Sequence, residues 1–114
     1  MDSALTFVPW HGPVSGLYVD KNYMVFKWAG PGHILASVAR RGDAVSAHLS
    51  CDKLGLRHLK QAINDFCVFA AEEFTWCRMV LAQCTKGSVC RIVVKCGFFH
   101  VGNDGNITVY ARKV

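Results

Sequence analysis

The sequence predicts an α/β (α+β) domain in which one long and one short helix pack on a mixed, mostly antiparallel sheet. Three observations predict it. Short β-branched and aromatic runs fill the first half and are separated by Gly/Pro turns. After Asp52 the apolar period changes to three or four residues, the period of a helix. The last part returns to strand-like runs around an Asn103-Asp104-Gly105 turn signal. At 114 residues the chain fits one domain, 1–114, with a small but real core.

Residues 4–8 are apolar and β-branched and stop at Pro9, which reads as a short first strand. Residues 10–15 hold Gly12 and Pro13 and form a loop; Trp10 and His11 in it are candidates to line a pocket or an interface. Residues 17–19 read as a short strand or an extended lead-in. Residues 22–28 (NYMVFKW) form a strand, closed by the turn Ala29-Gly30-Pro31-Gly32. Both faces of that strand carry large apolar groups, which suits a central strand or a face used for association, a homodimer included. Residues 34–40 and 44–50 follow as strands around Arg41-Gly42-Asp43, and such short turns imply an antiparallel meander.

From 54 to 74, Leu56, Leu59, Ile63, Phe66, Ala70 and Phe74 recur along one face of an amphipathic helix, with Asp52 as its N-cap or first-turn acid. Residues 77–84 (CRMVLAQC) suit a buried strand, and the helical crossover makes it parallel to 44–50. Ser88 caps a short helix over 88–96, ended by Gly97 as C′ residue. Residues 98–101 and 106–112 pair as a hairpin across the connector 102–105.

Composition narrows the function classes. Apolar residues make up 52% and charged residues 18%, which excludes a disordered tail. No apolar run reaches the ~18–20 residues that span a bilayer, and the N-terminus has no basic region followed by a long apolar one. The sequence therefore predicts a soluble, cytoplasmic protein without membrane attachment. The six cysteines have irregular gaps and no C-x-x-C pair, so they point to reduced, buried side chains rather than to a metal site. A net charge of +5 suits an anionic ligand or partner. The basic residues are scattered, with no dense run and no nucleic-acid motif, which argues against nucleic acid as that partner.

Three features carry a resemblance to a known family. A strand ending His48-Leu49-Ser50-Cys51-Asp52-Lys53 runs directly into the long helix. The stretch Arg91-Ile92-Val93-Val94-Lys95-Cys96-Gly97-Phe98 is similar to an R-L-x-x-K-x-G-F helix ending. The closing hairpin follows it directly. In this order, over about residues 44–114, they resemble the GCN5-related N-acetyltransferases (GNAT), and the small size is similar to the GNAT-like proteins of tailed bacteriophages. The resemblance implies acetyl-CoA or another acyl-CoA as cofactor and N-acetyl transfer to a protein or small amine. Its phage side implies an alternative: a non-catalytic protein that binds and modulates a host enzyme in the host cytoplasm, one of acyl-CoA metabolism among the candidates.

The resemblance also implies a site. In the family an R/Q-x-x-G-x-G/A loop opens the long helix and holds the CoA pyrophosphate on backbone N–H groups. The matching stretch here, Lys53-Leu54-Gly55-Leu56-Arg57-His58, keeps one glycine and offers Lys53 and Arg57 to phosphates. Ser50, Lys53, Gly55, Arg57, His58 and Lys86 are the cofactor-binding candidates, Lys86 standing where the family has an asparagine. The family tyrosine that protonates the departing thiolate is matched by Val93, which holds no proton to give. His48, on the strand facing the thioester, is the candidate base. Cys84, ending the following strand, is the candidate proton donor or nucleophile, with Tyr110 as a more distant acid.

Overall fold

The computed structural model describes residues 5–14 and 16–114. Ala4, in the first expected strand, and Ser15, in the loop after it, lie outside the described residues. Among the described residues seven strands form one sheet: β1 (Phe7–Pro9), β2 (Met24–Trp28), β3 (Ile34–Arg41), β4 (Ala44–Cys51), β5 (Met79–Cys84), β6 (Phe99–Asp104) and β7 (Ile107–Lys113). Their order is β1-β2-β3-β4-β5-β7-β6, and all pairs are antiparallel except β4 with β5. The mixed, mostly antiparallel α+β architecture is thus the one the sequence predicts.

Pro9 is tolerated inside β1 because β1 is an edge strand, paired only with β2. Among the described residues, 10–14 and 16–23 form no strand, and that includes the extended run at 17–19. Their Gly/Pro content gives the sheet no repeating apolar side to bury.

One sheet face carries the core. Phe26 and Trp28 of β2, Ala36 and Val38 of β3, Val45 and Ala47 of β4, and Val80 and Ala82 of β5 lie in one cluster with the helices. Alternation along each strand puts these residues on the same side. The helical face contributes Leu59, Ile63, Phe66, Phe69 and Ala70, and edge-on rings lock it to β1 and β2: Phe7–Phe66 centroids are 5.2 Å apart and Phe26–Phe69 5.1 Å. Trp28 is completely buried and donates its Nε1–H to Asp65 Oδ2 at 2.9 Å, which satisfies the carboxylate that the helix stripe brings inside.

The expected long helix is two helices, α1 (Lys53–Arg57) and α2 (Leu59–Glu73). The break is at His58, where φ is −108° and ψ is 8°, and its N–H donates to Gly55 O at 2.9 Å in a tighter, three-residue step. The cause is tertiary. Gly55 is pressed against Ile34 so closely that a Cβ would stand 2.7 Å from Ile34 Cγ1. The backbone of Gly32, at a φ of 81°, packs directly on Gly55. Asp52 is the N-cap of α1 as expected, accepting the Gly55 N–H at 2.7 Å.

The third helix, α3 (Gly87–Lys95), has Lys86 at its N-cap position with no side-chain capping bond, and Ser88, the expected cap, lies inside its first turn. Gly97 ends it with φ 87°, and Phe98 N–H turns back to Val93 O. The hairpin turn is at Gly105-Asn106, later than expected, and β6 absorbs residues 102–104 through an irregularity between His100 and Gly102. No helix among the described residues is long and apolar enough to cross a membrane.

Candidate functional site

The site arises from where the parallel pair ends. β4 and β5 stay in register from Ala44↔Met79 to His48↔Gln83. Beyond that point they part. Leu49, Ser50 and Cys51 continue to pair with β3, and Cys84 continues to pair with Thr108 of β7. The sheet therefore splits into two halves, and β4 loses its neighbour on one side. Backbone N–H groups alternate in direction along a strand, so at least one among residues 49–51 faces the gap unpaired by β5.

A cavity of about 560 Å³ occupies this gap. Leu49 and Cys51 pack on the core side of the sheet, while His48 meets Tyr18 and Tyr23 on the other, so the cavity touches both faces. Leu56 and Leu59 wall it from α1 and α2, and Ser88 and Val89 from α3. Of the sequence candidates, His48, Ser50, Lys53, Cys84 and Lys86 line it together. Gly55, Arg57 and His58 are not in its wall. Gly55 is buried under Ile34 with its N–H held by Asp52; Arg57 is exposed; His58 stacks obliquely near Trp28, ring centroids 6.2 Å apart. Trp10 of the N-terminal loop packs edge-on against His33 and is not in the cavity wall either.

His48 is half-buried. Desolvation, and then the Arg41 cation, hold its imidazole below the usual histidine range, so the neutral form prevails at neutral pH. Tyr18 and Tyr23 flank it with ring centroids at 5.1 Å and 5.7 Å, and Arg41 Nη2 donates to Tyr23 Oη at 3.3 Å. Beside it, Gln83 of the cavity wall donates from Nε2 to Ser46 Oγ of β4.

Burial, with Cys90 next to it, pushes the Cys84 thiol up to about 12. It is therefore a thiol and a hydrogen-bond donor at neutral pH. Cys51, on the opposite wall, is raised by burial and by Asp52, with Lys86 acting against both. All six cysteines are free, as the irregular spacing suggests. Val93 is completely buried in α3.

Two wall elements were not legible in the sequence. Gly16, Leu17 and Tyr18 reach the cavity from the N-terminal segment, where no period marks them. Asp52 also lines it, although its N-cap pattern signals only a helix start.

No protein-family model and no curated protein matches the sequence. Solved structures do match the fold. The ribosomal-protein-S5-alanine acetyltransferase from Vibrio fischeri aligns with a TM-score of 0.64 and 12% identity, over 81% of this chain and 62% of that one. The acetyltransferase from Thermus thermophilus gives 0.60 and 20%, over 84% and 67%. The N-acetyltransferase PseH from Campylobacter jejuni, in complex with acetyl coenzyme A, gives 0.58 and 16%, over 82% and 70%. At these identities the likeness concerns the fold, and the chain spans between 62% and 70% of the length of these three proteins. The split sheet, its parallel β4–β5 pair and the helices packed on one face give this chain the fold of the GNAT acetyltransferases.

Proposed function

We propose that the chain binds an acyl-CoA in the cleft between the diverging ends of β4 and β5 and transfers the acyl group to an amine. The observation that carries this reading is the cleft itself: a 560 Å³ cavity at the one parallel pair, with His48, Ser50, Cys84 and Lys86 brought together on its walls. The PseH structure, which holds acetyl coenzyme A on the same fold, supports it.

The residues divide the work as follows. An unpaired N–H at the open side of residues 49–51 donates to the thioester carbonyl oxygen and stabilises the oxyanion as the amine attacks. His48, held neutral by its surroundings, takes the proton that the amine must lose. The C–N bond forms, the C–S bond breaks, and the thiolate leaves. Cys84 is too weakly acidic to act as a nucleophile and donates a hydrogen bond to the departing sulfur. Lys86 and Lys53 stand at the wall as the cations for the donor's polar end. The other expected phosphate ligands contribute less: Arg57 acts only at long range, and Gly55 and His58 support α1.

Isothermal titration with acetyl-CoA tests the reading. It should give saturable heat with one site per chain, and the thiol reagent assay should show release of free CoA when an amine is added. No heat with millimolar ligand would overturn it.

A second reading, binding without turnover, has one observation in its favour. Val93 occupies the position where the resemblance places a proton donor, and it is completely buried. In that case acetyl-CoA binds, no CoA is released with any amine, and the chain acts through a protein partner, a host enzyme if the gene is phage-borne. Recovery of no stoichiometric partner from lysate would remove it.

A further inference from the structure

We infer that Ser37 is a positioning residue for His48: its buried hydroxyl accepts a hydrogen bond from the imidazolium that forms when the base takes a proton. The inference rests on the reading of His48 as the base of the cleft.

Ser37 is completely buried, and among the described residues its Oγ is the one buried side-chain oxygen or nitrogen without a hydrogen-bond partner. A buried hydroxyl left unpaired is destabilising, so its position calls for a reason. Ser37 stands opposite Val25 of β2 on one side and opposite His48 of β4 on the other. Its neighbours Ala36 and Val38 point into the core, so Ser37 points to the face that carries His48. Cβ atoms of opposite residues in an antiparallel pair lie about 4.5–5.5 Å apart. The His48 ring leans over β3: it packs on Tyr23, which leads into β2 on the far side of that strand. A turn of the ring about its own side-chain bonds therefore brings a ring nitrogen to Ser37 Oγ without moving any backbone.

The other polar groups around the ring are engaged. Tyr23 Oη takes the Arg41 N–H, Tyr18 Oη donates to Asp20 Oδ2 at 3.3 Å, and Ser46 Oγ takes the Gln83 N–H. Among the described residues, the charged and titratable groups that face His48 are Arg41 from the end of β3, Tyr18 and Asp20 from the N-terminal segment, and Tyr23 before β2. Cys51, Lys53, Cys84 and Lys86 stand in the same cavity wall. Arg41 disfavours the imidazolium, and no carboxylate among the described residues bonds the ring.

A neutral imidazole has one N–H donor and an imidazolium has two. The second donor exists only after the amine has lost its proton to His48. Ser37 Oγ, unpaired in the resting chain, is then paired. The bond favours the charged state over the resting one, and only such a difference lowers a barrier.

The test is an NMR titration of the His48 side chain in the labelled full chain without ligand, with His48→Gln assigning the signal. Ser37→Ala removes the hydroxyl and introduces no clash. In this variant His48 should titrate about half to one pH unit lower, a three- to tenfold loss of proton affinity. Urea unfolding should find Ser37→Ala at least as stable as the wild type at pH 7.5, where the hydroxyl is unpaired. Between pH 7.5 and pH 5 the variant should lose more stability than the wild type, because a folded pKa already below 6.5 falls further. An unchanged His48 titration, or an equal loss of stability at both pH values, would overturn the inference. Calorimetry with acetyl-CoA should give dissociation constants for wild type and Ser37→Ala that agree within about twofold, since Ser37 is not in the cavity wall. No heat from either would overturn the cleft reading and with it the catalytic sense of the bond. An unchanged titration with normal heat would overturn the inference alone.

Discussion

Substituting alanine at Gly32 perturbs the contact that holds the start of α1. Gly32 has φ 81°, in the left-handed region, which costs an alanine about 1–2 kcal/mol. Its new Cβ would also stand 2.4 Å from Gly55 N and 2.7 Å from Gly55 Cα. Both are backbone atoms and cannot rotate away, so overpacking adds about 1–3 kcal/mol. Gly42 supplies the control. Its φ is 62°, similarly left-handed, but nothing lies within 4 Å of a built Cβ. Gly42→Ala should therefore show only the conformational part, about 1–2 kcal/mol. Both variants gain the same small amount from a stiffer unfolded chain, which cancels between them. Urea unfolding at 25 °C should find Gly32→Ala less stable than Gly42→Ala by about 1–3 kcal/mol. Equal stabilities would refute the close packing of that turn on α1, and with it the physical reason given for the helix break at His58.

Trp28→Phe removes the Nε1–H from Asp65, leaving the buried carboxylate, among the described residues, with the Leu5 N–H at 3.2 Å; stability should fall by about 1–3 kcal/mol, and a loss within error in urea unfolding would contradict the bond. His48 has a lowered folded pKa, so the unfolded chain takes up a proton first as pH falls below the ordinary value of 6.5. Its contribution to stability is thus present above that value and lost as pH drops through the lower folded one; the decrease in urea midpoint from pH 7 to pH 5 should be smaller in His48→Gln than in the wild type. With its thiol pushed to about 12, Cys84 should be alkylated by iodoacetamide at pH 8 only on unfolding; peptide mass spectrometry showing rapid labelling of the folded chain would contradict that burial.

Local pattern fixed much of the fold. Alternation along β3 and β4, the period of α2 and Gly97 at the end of α3 are set by neighbours in sequence, and the parallel β4–β5 pair follows from the helical crossover between them. The break at His58 was not legible, because the spacing of Leu56, Leu59 and Ile63 runs through it unchanged. Its cause lies at Gly32 and Ile34, on another element. The same holds for the site. His48, Ser50, Cys84 and Lys86 stand at strand ends or just after, where a split sheet gathers them. Gly55 reads as an opening for a ligand in sequence and proves to be a contact between chain segments. Tyr18 reaches His48 from a segment with no periodic signal, so only the folded chain reveals it.

The central claim is that an acyl thioester lies where β4 and β5 part. Amide chemical-shift mapping of the labelled chain during titration with acetyl-CoA tests it most directly. The account predicts shifts clustered at residues 48–53 and 83–89, from the two halves of the split sheet, with β1 and the β6–β7 turn unchanged. Shifts confined to β1 and β2, or none with millimolar ligand, would contradict it.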